Sequence, residues 1–211
     1  MRRGSTLATL AGVALVFAIA ASGAAGPALS APATRVVFVA PVDRHGRELP
    51  GDVVTRTSKG SCEPGSDVLS GSVYRCFFGN FVVDPCWAVR AGATPTKAVL
   101  CMEFPWSRQV IRLDTHGLAP STSPQTASLA GPWGVQLANG DRCLAAQGAH
   151  GIFKGRVVDY QCTKRLALLR GVRRAQAVWT YDSVVTGASG ISRPGPTESV
   201  RTAWFGGWRG G

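Results

Sequence analysis

Residues 73–87 read VYRCFFGNFVVDPCW, and the middle of this stretch decides how the chain folds. Gly79-Asn80 separates the run VYRCFF from FVVD. A Gly/Asn dipeptide between two β-prone runs suits a two-residue hairpin, because type I′ and II′ turns need positive φ at one or both central residues. With the turn centred there, Cys76 faces position 83 and not Cys86. The only other asparagine repeats the signal: Asn139-Gly140 separates WGVQLA from the segment that carries Cys143. The role expected of both dipeptides is structural.

Working outward, the chain reads as mostly β. Arg35 to Val42 and Asp52 to Thr57 carry β-branched runs bounded by Gly and Pro. Ser72 to Phe78, Phe81 to Asp84, Ala98 to Phe104 and Gln109 to Asp114 follow. In the last of these, Val110, Arg112 and Asp114 alternate with Ile111 and Leu113, the period of a half-buried strand. Gly134 to Ala138, Cys143 to Ala146, Arg156 to Cys162, Ala177 to Asp182 and Val200 to Phe205 complete the set. The expected fold is a small antiparallel sheet or sandwich-like domain, stapled by disulfides and carrying long loops.

Six cysteines, Cys62, Cys76, Cys86, Cys101, Cys143 and Cys162, are spaced by at least ten residues, so no C-x-x-C pair exists. An even, well-spaced set downstream of an export signal reads as a disulfide framework. Six cysteines allow about 15 connectivities. Nearest-neighbour pairing gives Cys62–Cys76, Cys86–Cys101 and Cys143–Cys162, each loop contributing about 3 kcal/mol by the chain-entropy argument. The rival scheme, Cys62–Cys101 with Cys76–Cys86, meets the register problem of the Gly79-Asn80 turn.

The export signal is Arg2-Arg3 followed by the apolar run Leu10 to Ala21, too short for the roughly 20 residues that span a bilayer. Ala31-Pro32-Ala33 offers cleavage after Ala33, with Ser30 as an alternative. Residues 1–33 are therefore expected to be a signal peptide, and the rest to be released in soluble form. Removing them takes two arginines and no acids from 23 basic and 12 acidic residues, which leaves 21 against 12, or +9. Of the 23 basic residues, 19 are arginine, which favours planar, bidentate contact with carboxylate or phosphate.

Residues 34–205 are expected to form one β-rich domain, with lobes 34–118 and 133–205 joined by the polar, uncharged loop 119–132. Thr186 to Pro196 reads as a second loop, and residues 206–211 as a disordered tail. Cys162 to Ala177 has Leu168, Val172 and Ala175 at helical spacing, interrupted by Gly171, and reads as either a short basic helix or a solvated loop. It carries Lys164, Arg165, Arg170, Arg173 and Arg174 with no acid among them, and these five are the candidate anion-binding residues.

Catalytic motifs are missing. There is no G-x-S-x-G, no H-E-x-x-H and no phosphate-cradling glycine loop. His45 and His116 each follow an aspartate by two residues, a spacing that chance readily produces, and His150 is the third histidine. No catalytic residue, metal or cofactor is expected, nor sequence-specific nucleic-acid binding. Of the six tryptophans, Trp87, Trp133 and Trp179 are assigned to core packing. Trp208, in the glycine-rich tail, is a candidate contact residue, since aromatic rings also serve as platforms for sugars.

Gly60-Ser61-Cys62, Tyr74-Arg75-Cys76, Gly79-Asn80, Asp84-Pro85-Cys86-Trp87, Val99-Leu100-Cys101, Pro105-Trp106, Pro132-Trp133, Leu137-Ala138-Asn139-Gly140-Asp141-Arg142-Cys143, Tyr160-Gln161-Cys162 and Trp179 form an ordered motif set. It resembles that of a family of uncharacterised exported actinobacterial proteins, over about residues 52–182. The chain departs from it at Glu63-Pro64, where an aromatic often follows the first cysteine. The resemblance implies export and a single structural unit, and it carries no activity. The expected function is a secreted, non-catalytic protein that binds an anionic envelope polymer or membrane surface through arginine. The alternatives are a secreted hydrolase with a hidden His/acid site and a disulfide-rich protease inhibitor.

Overall fold

Phe78 pairs with Phe81 across Gly79-Asn80, with Gly79 at φ +55°, so the hairpin that organises residues 73–87 forms around the two-residue turn. Cys76 pairs with Val83, and Cys86 lies opposite Tyr74. The structure, a computed structural model, describes residues 31–66, 73–91, 94–119, 131–147, 149–187 and 190–208. Residues 31–211 make one compact unit.

Among the described residues there are strands and no helix. They run β1 (Arg35–Val39), β2 (Val53–Pro64), β3 (Val73–Phe78), β4 (Phe81–Ala91), β5 (Thr94–Met102), β6 (Gln109–Thr115), β7 (Gly134–Leu137), β8 (Arg142–Ala145), β9 (Ile152–Phe153), β10 (Arg156–Cys162), β11 (Leu166–Leu169), β12 (Thr180–Gly187) and β13 (Gly190–Gly206). The fold is all-β and disulfide-stapled.

β2 to β6 close into a barrel. Sequential neighbours are antiparallel, and a parallel β2–β6 ladder shuts it. Alternation sorts the side chains. Tyr74, Cys76, Phe78, Val83, Cys86, Val99, Cys101, Ile111 and Leu113 pack together inside. Val73, Trp87, Leu100, Met102 and Val110 point the other way, and join Val42 and Trp133 in a second core. Trp133 is contributed by the segment leading into β7, so this second core glues the barrel to the next sheet. Trp87 and Trp133 are 1% and 0% exposed, with ring centroids 6.3 Å apart. β2 closes the barrel with small inward residues: a Cβ at Gly60 would lie 2.7 Å from the Phe77 carbonyl oxygen.

The second sheet has the order β1-β13-β12-β11-β10-β8-β7, with β9 on β10. β13 is 17 residues long. Its first part pairs with β12, and Val200 to Trp204 pair with β7, so the ladder returns on itself. Val135, Leu137, Cys143, Tyr160, Leu168, Tyr181, Val200, Ala203 and Phe205 form its core.

The disulfides are Cys62–Cys76, Cys86–Cys101 and Cys143–Cys162, the nearest-neighbour set. Each joins residues directly opposed in a ladder: β2 to β3, β4 to β5 and β8 to β10. No described helix is long and apolar enough to cross a membrane.

Several expectations are corrected. β1 pairs in parallel with β13, Arg35 opposite Thr202, so the first strand of the expected 34–118 lobe belongs to the second sheet. Within 162–177, Leu166–Leu169 is a strand whose last three residues are buried, and Gly171 follows at φ +106°. Burial of three successive residues between β10 and β12 overrides the weak helical spacing. Much of the expected 186–196 loop is strand: β12 runs to Gly187 and β13 starts at Gly190. The tail is anchored at its start, for β13 ends at Gly206 and the Trp208 indole N–H donates to the Val42 carbonyl at 2.8 Å. Asn139-Gly140 is part of a three-residue loop, with Leu137 and Asp141 hydrogen-bonded across it and Gly140 at φ +85°. Residues 120–130 of the expected interlobe loop, and 209–211 of the tail, lie outside the described residues.

Candidate functional site

The five cations of 164–174 do not share a free face. The Arg170 Nε donates to both oxygens of Asp159 at 3.0 Å. Arg173 pairs with Asp182 at 2.8 Å and donates to the Thr180 hydroxyl at 3.1 Å. Arg156 takes the other Asp182 oxygen at 2.8 Å. Hydrogen bonds from Arg173 and then Arg156 hold the Asp182 carboxyl down at about 2. The Arg174 guanidinium lies 4.7 Å from the Trp179 ring centroid and 5.6 Å from that of Phe205. Lys164 and Arg165 are exposed, and no described carboxylate pairs with either side chain. Sequence order hid this, because the acids that neutralise the segment come from β10 and β12.

The histidines lie on separate segments. The backbone N–H of His45 donates to Asp43, in a turn where the backbone N–H of Arg47 leads in pulling the Asp43 carboxyl down to about 2. His116 is exposed just past β6. His150 Nδ1 lies 3.2 Å from the Val158 carbonyl and 3.6 Å from Asp159, the carboxylate Arg170 also holds. No described serine hydroxyl contacts this pair. The sulfur atoms of Cys76, Cys86 and Cys101 lie within 4.8 Å of one another inside the barrel, but each is in a disulfide.

A better candidate lies where the barrel mouth meets β8. A groove of about 460 Å³ is lined by Thr55, Arg56, Phe78, Phe81, Val82, Val83, Glu103, Phe104, Ile111, Leu144 and Gln147. Local structure explains how these groups converge. A regular strand would point Thr55 and Arg56 to opposite faces, but the β2–β6 register slips there, Val54 facing Val110 and Arg56 facing Ile111. At this bulge both residues line the groove, with the Thr55 hydroxyl donating to the Val110 carbonyl at 3.3 Å. The Gly79-Asn80 turn delivers Phe78 and Phe81. Glu103 and Phe104 follow the end of β5. Gln147 closes the wall from the second sheet, its amide donating to the Asp84 carbonyl at 2.6 Å.

Two rings here are exposed although large and apolar, Phe81 at 61% and Phe104 at 39%. Each is backed by a second ring. Phe81 stacks on Phe78 at 5.5 Å, and Phe104 on Trp106 at 5.6 Å. Trp106 meets Trp204 edge-on at 5.4 Å. A guanidinium lies over the second ring of each pair: Arg56 over Phe78 at 5.8 Å and Arg142 over Trp106 at 5.4 Å. Arg142 is two residues before Leu144 on β8 and shares its face. Among the described residues neither arginine pairs with a carboxylate. Flat apolar surfaces, two guanidinium groups, one carboxylate and one amide can bind a ligand that has both an apolar face and polar or anionic substituents.

The expected core tryptophans Trp87 and Trp133 are buried and Trp179 is half-buried. Sequence reasoning missed Phe81, Phe104, Arg56 and Arg142. A usable signal was present: Phe77, Phe78 and Phe81 crowd one turn, and Phe104 and Trp106 flank Pro105 between two strands.

No family model, no curated protein and no solved structure matches this chain.

Proposed function

We propose that the protein is exported and acts without catalysis, binding an anionic component of the cell envelope in the groove at the barrel mouth. One observation carries this reading: two exposed, stacked aromatic platforms lie in one groove with Arg56 and are continued by Arg142, neither arginine ion-paired within the described chain. Supporting it are the three disulfides, which belong to an oxidising compartment, and the net charge of +9 once residues 1–33 are removed. The 164–174 segment is secondary, because its inner arginines are neutralised by Asp159 and Asp182.

The test is co-sedimentation of the oxidised protein with isolated actinobacterial cell envelope at about 50 and 500 mM salt, where the Debye length is roughly 14 and 4 Å. Retention at low salt that falls at high salt, and falls further for Arg56→Gln/Arg142→Gln, is expected. Absence of retention at both salts overturns the reading, and retention unaffected by the two arginine changes moves the site elsewhere.

A further inference from the structure

We infer that the groove takes an acidic polysaccharide, with sugar rings lying on Phe81 and Phe104 and the acid groups on Arg56 and Arg142. This rests on the envelope-binding reading above and names its ligand class. The argument begins with the rings. Phe81 and Phe104 are both exposed and border one cavity, and two large apolar rings brought together on one groove make a patch rather than scattered surface residues. Each is clamped by a partner at an interplanar angle of 27° or 18°, so each offers a fixed flat surface with little rotamer freedom left to lose on binding. A pyranose ring has an apolar face of C–H groups that suits such a surface, and hydroxyls at its rim.

The polar lining separates this ligand from the other anions. Thr55, Glu103 and Gln147 face the same groove. The Gln147 amide N–H donates to the Asp84 carbonyl, so its oxygen and the Glu103 carboxylate are the acceptors that these two lining residues offer. Acceptors facing a groove satisfy hydroxyl groups. A sugar acid carries hydroxyl donors for them beside its acid group, whereas polyphosphate has none to set against the Glu103 charge, and an acyl chain leaves them desolvated. Glu103 in the lining therefore favours a ligand that brings hydroxyl groups as well as charge. The arginines add bidentate contact to carboxylate on the sugar.

The experiment measures binding of the full oxidised protein to a linear polyuronate, its carboxyl-reduced neutral form, polyphosphate and vesicles of anionic phospholipid. The expected order places the polyuronate first, with the neutral form at least fivefold weaker. Phe81→Ala/Phe104→Ala should weaken the polyuronate at least tenfold and leave residual polyphosphate binding within twofold. Phe81→Leu/Phe104→Leu keeps apolar area without the ring and should lose nearly as much. Glu103→Ala gives opposite signs: weaker polyuronate binding, stronger polyphosphate binding. A gain for both ligands, or polyphosphate binding as tight as the polyuronate with no dependence on the rings, overturns the inference but leaves an anion-binding groove. Ring-dependent vesicle binding exceeding the polyuronate also overturns it, in favour of lipid. No binding to any charged probe overturns the envelope-binding reading itself. Both double variants are checked against wild type by thermal midpoint, so that loss of fold is separated from loss of site.

Discussion

Substituting Gly134 by alanine tests how the two sheets are joined and how the aromatic row is held. Gly134 opens β7, and an added Cβ would lie 2.7 Å from the Pro105 ring, 3.0 Å from the Trp106 ring and 3.4 Å from the Cys143 carbonyl. None of these neighbours yields cheaply. Pro105 is buried, and Trp106 is wedged among Phe104, Trp204 and Arg142. Forcing a methyl into such a site costs about 1–3 kcal/mol, and two rigid contacts at or under 3.0 Å favour the upper half. Loss of glycine's unfolded-state freedom offsets about 0.4–1 kcal/mol. The expected net loss is about 2 kcal/mol, or a fall in Tm of about 4–8 °C at 2–4 °C per kcal/mol. Gly117→Ala is the control, because nothing lies within 4 Å of its added Cβ and its φ is ordinary; it should be neutral or slightly stabilising. The assay is thermal unfolding by far-UV circular dichroism, with near-UV circular dichroism reporting the Trp106–Trp204 pair. If Gly134→Ala unfolds within 1 °C of Gly117→Ala with an unchanged near-UV spectrum, the packing argument for this joint is wrong.

Asp182 bears on the acid limb of stability. Its folded-state carboxyl sits at about 2 against an ordinary 3.8, so its stabilisation is present above the ordinary value and lost as pH falls toward 2. Asp182→Asn should therefore be less stable than wild type at pH 6, with the gap closing between pH 4 and 2; a gap that persists at pH 2 shows that the ion pairs are not its source. Asp141 is fully buried and accepts from the backbone N–H groups of Arg142 and Lys164 and from the Thr163 hydroxyl. Asp141→Ala removes the shared acceptor of three part-buried donors, at about 0.5–1.5 kcal/mol for each hydrogen bond lost, so guanidinium unfolding should show a loss of about 2–3 kcal/mol. Cys143→Ser/Cys162→Ser opens a loop of 19 residues and should lower stability by about 3 kcal/mol. Phe81→Ala should change Tm by less than 2 °C, since a ring 61% exposed contributes little burial; a larger fall would make Phe81 a structural ring and weaken its assignment as a platform.

The β class, the first hairpin and the pairing of cysteines were legible because they depend on local chemistry. A Gly-Asn dipeptide sets the turn, period-two alternation sets the faces, and the register from that turn places Cys76 opposite Val83. What local chemistry could not reach was pairing over long separations. Nothing in RVVFV announces that β1 lies against β13, residues 35 and 202 being neighbours only once the second sheet has formed. The same limit turned 162–177 into a helix or loop on paper, since Leu166–Leu169 becomes a strand only between β10 and β12. The groove was hidden for that reason too. Its residues come from β2, β3, β4, β6, β8 and the segments between strands, and the bulge at Thr55 and Arg56 exists only in register with β6. Composition supplied the positive charge and the aromatic rings. The tertiary structure decided which arginines are neutralised by Asp159 and Asp182 and which remain beside exposed rings, because ion pairing is set by distance in space and not by position in the chain.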